Sequence, residues 1–240
     1  MICVCDIRTP RSVLDSLKER GFEILQLPPD PSLPDPVSGH SDLLVFIIDG
    51  YLLTREDYYH QAYVEIDRLC KKARLKRMIT TEKAGAKYPL DCGLCAAISG
   101  KNILYCDKSA DRKLLRMATA YGYSLLNVPQ GYAKCSCAIL ADGAIITSDE
   151  GIERVTRAAG IDTLLISAGH VDLPGYNYGF IGGASGLCGN TLYFAGRIED
   201  HPDYETIKEF SEKHGTELVS LGEGKLFCYF VFSFCHKTYI

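Results

Sequence analysis

Two cysteine pairs, a lysine-flanked thiol and two loop histidines are the residues of this 240-residue chain whose types and spacing could do chemistry. Cys92-x-x-Cys95 and Cys135-x-Cys137 could supply four thiolates to a zinc ion, with Cys135 and Cys137 on one face by the two-residue strand period. The segment Asp91–Cys95 reads as strand, however, not as the tight knuckle of a zinc ribbon. Small cysteines packed in a core are the better reading, and no metal is expected. Lys134 beside Cys135 could lower the thiol's pKa and make it reactive; an ordinary edge lysine is the alternative, and both stand at this point. His40 and His170 each follow a glycine in a loop, where site residues concentrate. His60, His201 and His214 fall on or beside helices and read as solvated, and His236 lies in the tail. Gly179–Gly189 carries five glycines. Phosphate loops lead into a helix N-terminus, whereas this one leads into a strand at Thr191–Phe194. The glycines therefore mark close backbone approach near a shared centre, or room for a ligand there.

The totals exclude several classes. Hydrophobic residues make up 47 % of the chain, ample for a core, and the net charge of −4 gives no electrostatic case for nucleic acid or an anionic membrane. The longest wholly apolar run, residues 226–232, is far too short to span a bilayer. Met1 is followed at once by a strand pattern, so no signal peptide is expected. Eleven cysteines, an odd count, fit thiols in a reducing cytoplasm, not a disulfide framework. No cofactor motif is present, and oligomeric state is left open.

The elements that must position these residues follow one pattern. Gly100 to Pro129 reads as strand, helix, strand: an apolar run at Ile103–Cys106, a Ser109 cap, helical spacing at Leu114, Leu115, Ala118 and Tyr121, a Gly122 stop, and a strand to Val128. Residues 2–28 align with 103–129 without a gap at an offset of 101, matching Cys5 with Cys106, Asp6 with Asp107, Gly21 with Gly122 and Pro28 with Pro129. This predicts an internal repeat. A stiff segment with five prolines spans 28–40. Strand pairs are then expected at Leu43–Ile48 with Tyr51–Leu53, at Cys92–Ser99 with the opening stretch, at Cys135–Leu140 with Ala144–Thr147, and at Phe180–Leu187 with Thr191–Phe194. Each turns at one of Gly50, Gly100, Gly143 and Gly189 and is followed by a helix and a strand. The first of those helices is expected to start at a Thr54 cap and to bury Tyr59, Tyr63, Ile66, Leu69 and Cys70. Lys225–Cys235 supplies one more opening strand, and the N-terminus supplies the helix and strands that complete its unit. A closed ring is the simpler outcome, because closure removes exposed sheet edges.

A ring of five ββαβ units resembles the pentein fold of the guanidino-group-modifying enzymes, such as deiminases and amidinotransferases. The resemblance implies an α/β fold, a pseudo-fivefold α/β propeller closed by the N- and C-terminal strands, forming one domain over residues 1–240. It implies a catalytic Cys228 after the Gly-rich turn at Gly222–Gly224, a catalytic His170 and Asp172 in Gly169-His170-Val171-Asp172, and a substrate-binding Asp42 in His40-Ser41-Asp42. Where the family carries Glu-Gly-Gly, this chain reads Lys134-Cys135-Ser136-Cys137.

An enzyme acting on a guanidino or amidino compound needs a thiolate, a proton donor and carboxylates that grip planar N–H donors. Cys228, His170, Asp42 and Asp172 could fill those roles, although an apolar strand around Cys228 would raise its pKa and leave it inert. The cavity is expected at strand ends near Asp42, Cys92, Lys134, Cys135, Gly182 and Cys228, with a small molecule as its ligand and His40 among the substrate-binding residues. The competing class is a non-catalytic pentein that binds a small molecule or a protein partner. A thiol within hydrogen-bond reach of His40 or His170 favours the enzyme, and dispersed groups favour the binder.

Overall fold

The computed structural model describes residues 1–228 and, as backbone, 233–235. Five three-stranded sheets share one order: an opening strand antiparallel to a middle strand, which is parallel to a third strand reached through a helix. Four run consecutively. They are Val45–Ile48, Tyr51–Arg55 and Lys76–Thr80 around the helix Glu56–Ala73; Ala97–Ser99, Asn102–Tyr105 and Ser124–Asn127 around Arg112–Ala120; Cys137–Ile139, Ile145–Thr147 and Thr163–Leu165 around Glu150–Ala158; and Ser185–Cys188, Thr191–Ala195 and Glu217–Leu221 around Tyr204–Lys213. The fifth joins the chain's two ends: Ser233–Cys235 pairs antiparallel with Ile2–Asp6, which pairs parallel with Glu23–Leu27 through the helix Arg11–Glu19. The expected strand at Lys225–Cys235 is thus described only at Leu226–Phe227 and Ser233–Cys235; residues 229–232 and His236 lie outside the described residues.

The offset of 101 places strand on strand and helix on helix, Arg11–Glu19 against Arg112–Ala120. Helix starts depart from expectation where a better acceptor is at hand. Asp111, not Ser109, caps the second helix, accepting hydrogen bonds from the Lys113 and Leu114 N–H groups. Thr54 stays in its strand and donates its hydroxyl to the Leu44 carbonyl, so the long helix begins at Glu56. That helix buries Tyr58, Ala62, Ile66, Leu69 and Ala73, while Tyr63 faces solvent, a shift of one position from the expected stripe.

The opening strands are shorter than expected, and the reason is local. Ser41–Leu44, Ala133–Ser136 and the turn before Ser185 curl into single helical turns just ahead of the strands they enter. Cys135 therefore sits on a helical turn and Cys137 on a strand, and the two do not share a face. Cys135 packs in the central apolar cluster with Cys92, Cys95 and Cys228, whereas Cys137 packs with Ala97, Ile145 and Ile152. Among the described residues no helix is long and apolar enough to cross a membrane.

Candidate functional site

The single helical turns converge. Ser41–Leu44 carries Asp42 in its first turn, and Ala133–Ser136 carries Cys135. Asp42 Oδ2 accepts hydrogen bonds from the Cys135 thiol at 2.9 Å and the Cys95 thiol at 3.0 Å. Its Oδ1 is buried and has no hydrogen-bond partner among the described residues. His40, immediately before the turn, brings Nδ1 to 3.7 Å from the Cys135 sulfur. His40, Asp42 and Cys135 each offer a ligand-capable atom, all within 4.8 Å of one another and all buried.

Close backbone approach builds this cluster. A Cβ on Gly39 would lie 2.6 Å from Asp6 Oδ2, so only glycine lets the carboxylate of Asp6 in beside His40. Asp6, fully buried, is held by Arg8 through Nε at 2.9 Å and NH2 at 2.6 Å. The sequence reading missed Asp6 as a site neighbour, although its pairing with Asp107 across the aligned stretches had marked it. On the other side, a Cβ on Gly182 would lie 2.3 Å from the Cys137 carbonyl oxygen, and one on Gly183 would lie 2.2 Å from the Cys228 sulfur. The glycines of Gly179–Gly189 thus mark crowding at the centre. Cys228 Sγ accepts the Phe180 N–H at 3.4 Å.

Electrostatics here favour neutral forms. Burial pushes the His40 imidazole down, against the opposing pull of Asp42 and Asp6. Cys135 is held well above the usual thiol range, first by hydrogen bonds with Cys228 and Cys95 and then by burial. A lowered histidine makes stability depend on pH with a definite sign. Unfolded chains take up a proton on this ring near pH 6.5, whereas the folded one resists, so stability is present above about 6.5 and is lost as pH falls below it. We expect a loss of up to about 1.4 kcal/mol per pH unit from this group, absent in His40→Asn, read as the difference between urea unfolding midpoints from pH 7.5 to 5.

Above the cluster opens a cavity of about 340 Å³ with His40, Cys135 and Cys228 among its lining residues. Its walls are aromatic: Tyr88, Tyr132, Tyr176, Tyr178 and Phe180. Tyr132 is locked by donating its hydroxyl to Asp91 Oδ2 at 2.5 Å, and Tyr88 by accepting the Gly131 N–H at 3.1 Å.

The other expected site residues lie apart from this floor. Cys228 does share it, and its N–H bonds the Asp172 carbonyl at 2.9 Å through the two-stranded pair Val171–Asp172 with Leu226–Phe227. The Asp172 side chain, however, is half exposed, with Lys225 at 3.7 Å. His170 is exposed and packs edge-on against His201 at 5.1 Å. Both line a separate cleft of about 110 Å³ with Arg197. His201 is buried, not solvated as its helix-flanking position suggested. Lys134 points its amine at the Gly182 carbonyl, 3.3 Å away, and lines a different cavity with Asp42.

This fold is that of the pentein superfamily. DDAH from Pseudomonas aeruginosa, solved as a mutant complexed with citrulline, superposes with a TM-score of 0.56 at 11 % identity, covering 92 % of this chain and 91 % of that one. Agmatine deiminase from C. jejuni gives 0.53 at 10 % identity over 92 % and 87 %. SxtG, an amidinotransferase from Microseira wollei in the saxitoxin biosynthetic pathway, gives 0.55 at 10 % over 87 % and 72 %. No curated protein matches the chain. The chain belongs to the family described as "Family of unknown function (DUF6873)", whose model matches residues 4–229.

Proposed function

We propose that this protein is a cysteine-dependent hydrolase or transferase of a guanidino or amidino compound, built as a pseudo-fivefold propeller of ββαβ units that the terminal strands close. One observation carries the reading: on the floor of a cavity the Cys135 thiol lies 3.7 Å from His40 Nδ1, while beneath it the thiol donates to Asp42 Oδ2 at 2.9 Å. Cys135 is the nucleophile, neutral His40 the acid–base group and Asp42 the carboxylate that positions the thiol through its Oδ2. Cys228 lines the same floor and is the alternative thiolate. His170 and Asp172, on their separate cleft, are left out of the set.

The raised thiol pKa fits a site that is activated only when occupied. A planar cation over the sulfur favours the thiolate by opposite charge, and His40 accepts the proton. Attack at the central carbon forms a C–S bond. Collapse of the tetrahedral adduct breaks a C–N bond as His40 returns the proton to the departing nitrogen. Water or an acceptor amine then attacks the carbon and releases Cys135, and the choice between them separates hydrolase from transferase. Stacking on the tyrosine walls holds the cation flat.

Treatment with 2-chloroacetamidine followed by peptide mass mapping tests this. Labelling is expected at Cys135, blocked by arginine or agmatine, and slowed at least tenfold in His40→Asn and Asp42→Asn. Labelling spread over several cysteines without protection would instead support the non-catalytic binding protein.

A further inference from the structure

Asp42, which bonds the Cys135 thiol, lines a second cavity of about 260 Å³ that shares no lining residue with the first. Its polar groups are three. Asp42 Oδ1 is buried without a hydrogen-bond partner among the described residues, and so is the Ser185 hydroxyl. Lys134 is the third, and its amine has one recorded contact, the Gly182 carbonyl at 3.3 Å. Buried polar groups in a folded protein are nearly always satisfied, so two orphans lining one cavity point to a missing occupant. No direct ion pair joins Lys134 to Asp42 among the described residues, so a ligand can span them.

The remaining lining is aliphatic or aromatic apart from Gly186. One half-buried side chain from the opening strand of each of four sheets contributes: Ile47, Ile98, Ile139 and Leu187. Being half-exposed, they leave the cavity open to solvent.

We propose that this cavity binds a small hydrophobic α-amino acid. Asp42 takes the ammonium, Lys134 and the Ser185 hydroxyl take the carboxylate, and the aliphatic lining takes the side chain. Neither half of the head group suffices alone. An apolar amine would leave Lys134 uncompensated and bring only one charge to match. An apolar carboxylate would bury itself beside unpaired Asp42, and an unpaired buried charge is costly. The volume lies below the range of drug-sized pockets and suits a molecule of amino-acid size. The two sites share Asp42, but Lys134, Ser185 and the aliphatic lining take no part in the thiol chemistry, so the binding test reads this site separately from the catalytic one.

Isothermal titration of the full chain decides it, with L-leucine and L-phenylalanine set against leucinamide, 4-methylpentanoate and glycine. The complete hydrophobic amino acids are expected to bind at least tenfold more tightly than any of the three that lack the carboxylate, the ammonium or the side chain. Lys134→Met should weaken leucine at least tenfold and leave leucinamide unchanged, with Ser185→Ala weakening leucine several-fold. The ligand series on the unaltered chain is sufficient even where a variant folds poorly. No heat from leucine or phenylalanine, or equal affinity for leucinamide or 4-methylpentanoate, overturns the proposal.

Discussion

A chain lacking residues 1–28 is expected not to fold. Those residues hold the middle strand, helix and third strand of the sheet whose opening strand is Ser233–Cys235. Ile2, Cys3, Val4, Cys5, Leu17 and Leu27 are fully buried, and Val13, Phe22 and Leu25 nearly so. At about 1.5–3 kcal/mol for each large apolar side chain removed from water, the loss exceeds a typical whole-domain stability of about 5–15 kcal/mol. It also strips the cover from the adjoining sheet, where Ala195 and Leu221 pack against Val13, Leu14 and Leu17. Far-ultraviolet circular dichroism and thermal melting of a 29–240 fragment check this. A soluble fragment with a cooperative transition would refute both the expectation and the closed ring.

Asp30→Ala is the single substitution expected to cost most away from the cavities, about 3–5 kcal/mol, because it leaves a buried guanidinium without its partner. Asp30 and Arg55 form an ion pair with both side chains about 95 % buried. Asp30 Oδ1 also accepts the Ser32 N–H and hydroxyl, which ties down the proline-rich segment. Arg55 donates its NH1 to the Leu43 carbonyl at 3.1 Å, inside the turn that carries Asp42. Asp57, 3.4 Å from Arg55 but largely exposed, is a weak substitute. Urea unfolding at pH 7 reads the cost. The double variant Asp30→Leu with Arg55→Met should recover most of it, since two apolar groups bury no unpaired charge. A single-variant loss below about 1 kcal/mol would mean that water or Asp57 compensates Arg55 after all.

The order of strands and helices was legible because it rests on local physics. Apolar runs bounded by turn glycines, and helical spacing closed by Gly21 and Gly122, act within a few residues and need no distant partner. Pairing of the two chain ends was legible for a related reason: each end was an incomplete unit with apolar strands that had to be covered. The members of the site were legible only in part. His40, Asp42, Cys135 and Gly182 could be named and placed near one centre, but which side chain meets which could not. The single helical turns at Ser41–Leu44 and Ala133–Ser136, which aim Asp42 and Cys135 at one another, have no propensity signature in four residues. They form because tertiary contacts hold them, as when the Gly183 N–H donates to the Cys135 carbonyl at 2.7 Å. The same holds for His170 and Asp172. A Gly-His-x-Asp string reads alike whether it faces a cavity or solvent, and only the pairing of Val171–Asp172 with Leu226–Phe227 decides which way its side chains stand. Sequence thus determined the class of fold and the stock of reactive groups, both matters of composition and short-range spacing. Which thiol meets which imidazole depended on contacts between residues 95 positions apart, and only the folded chain sets those.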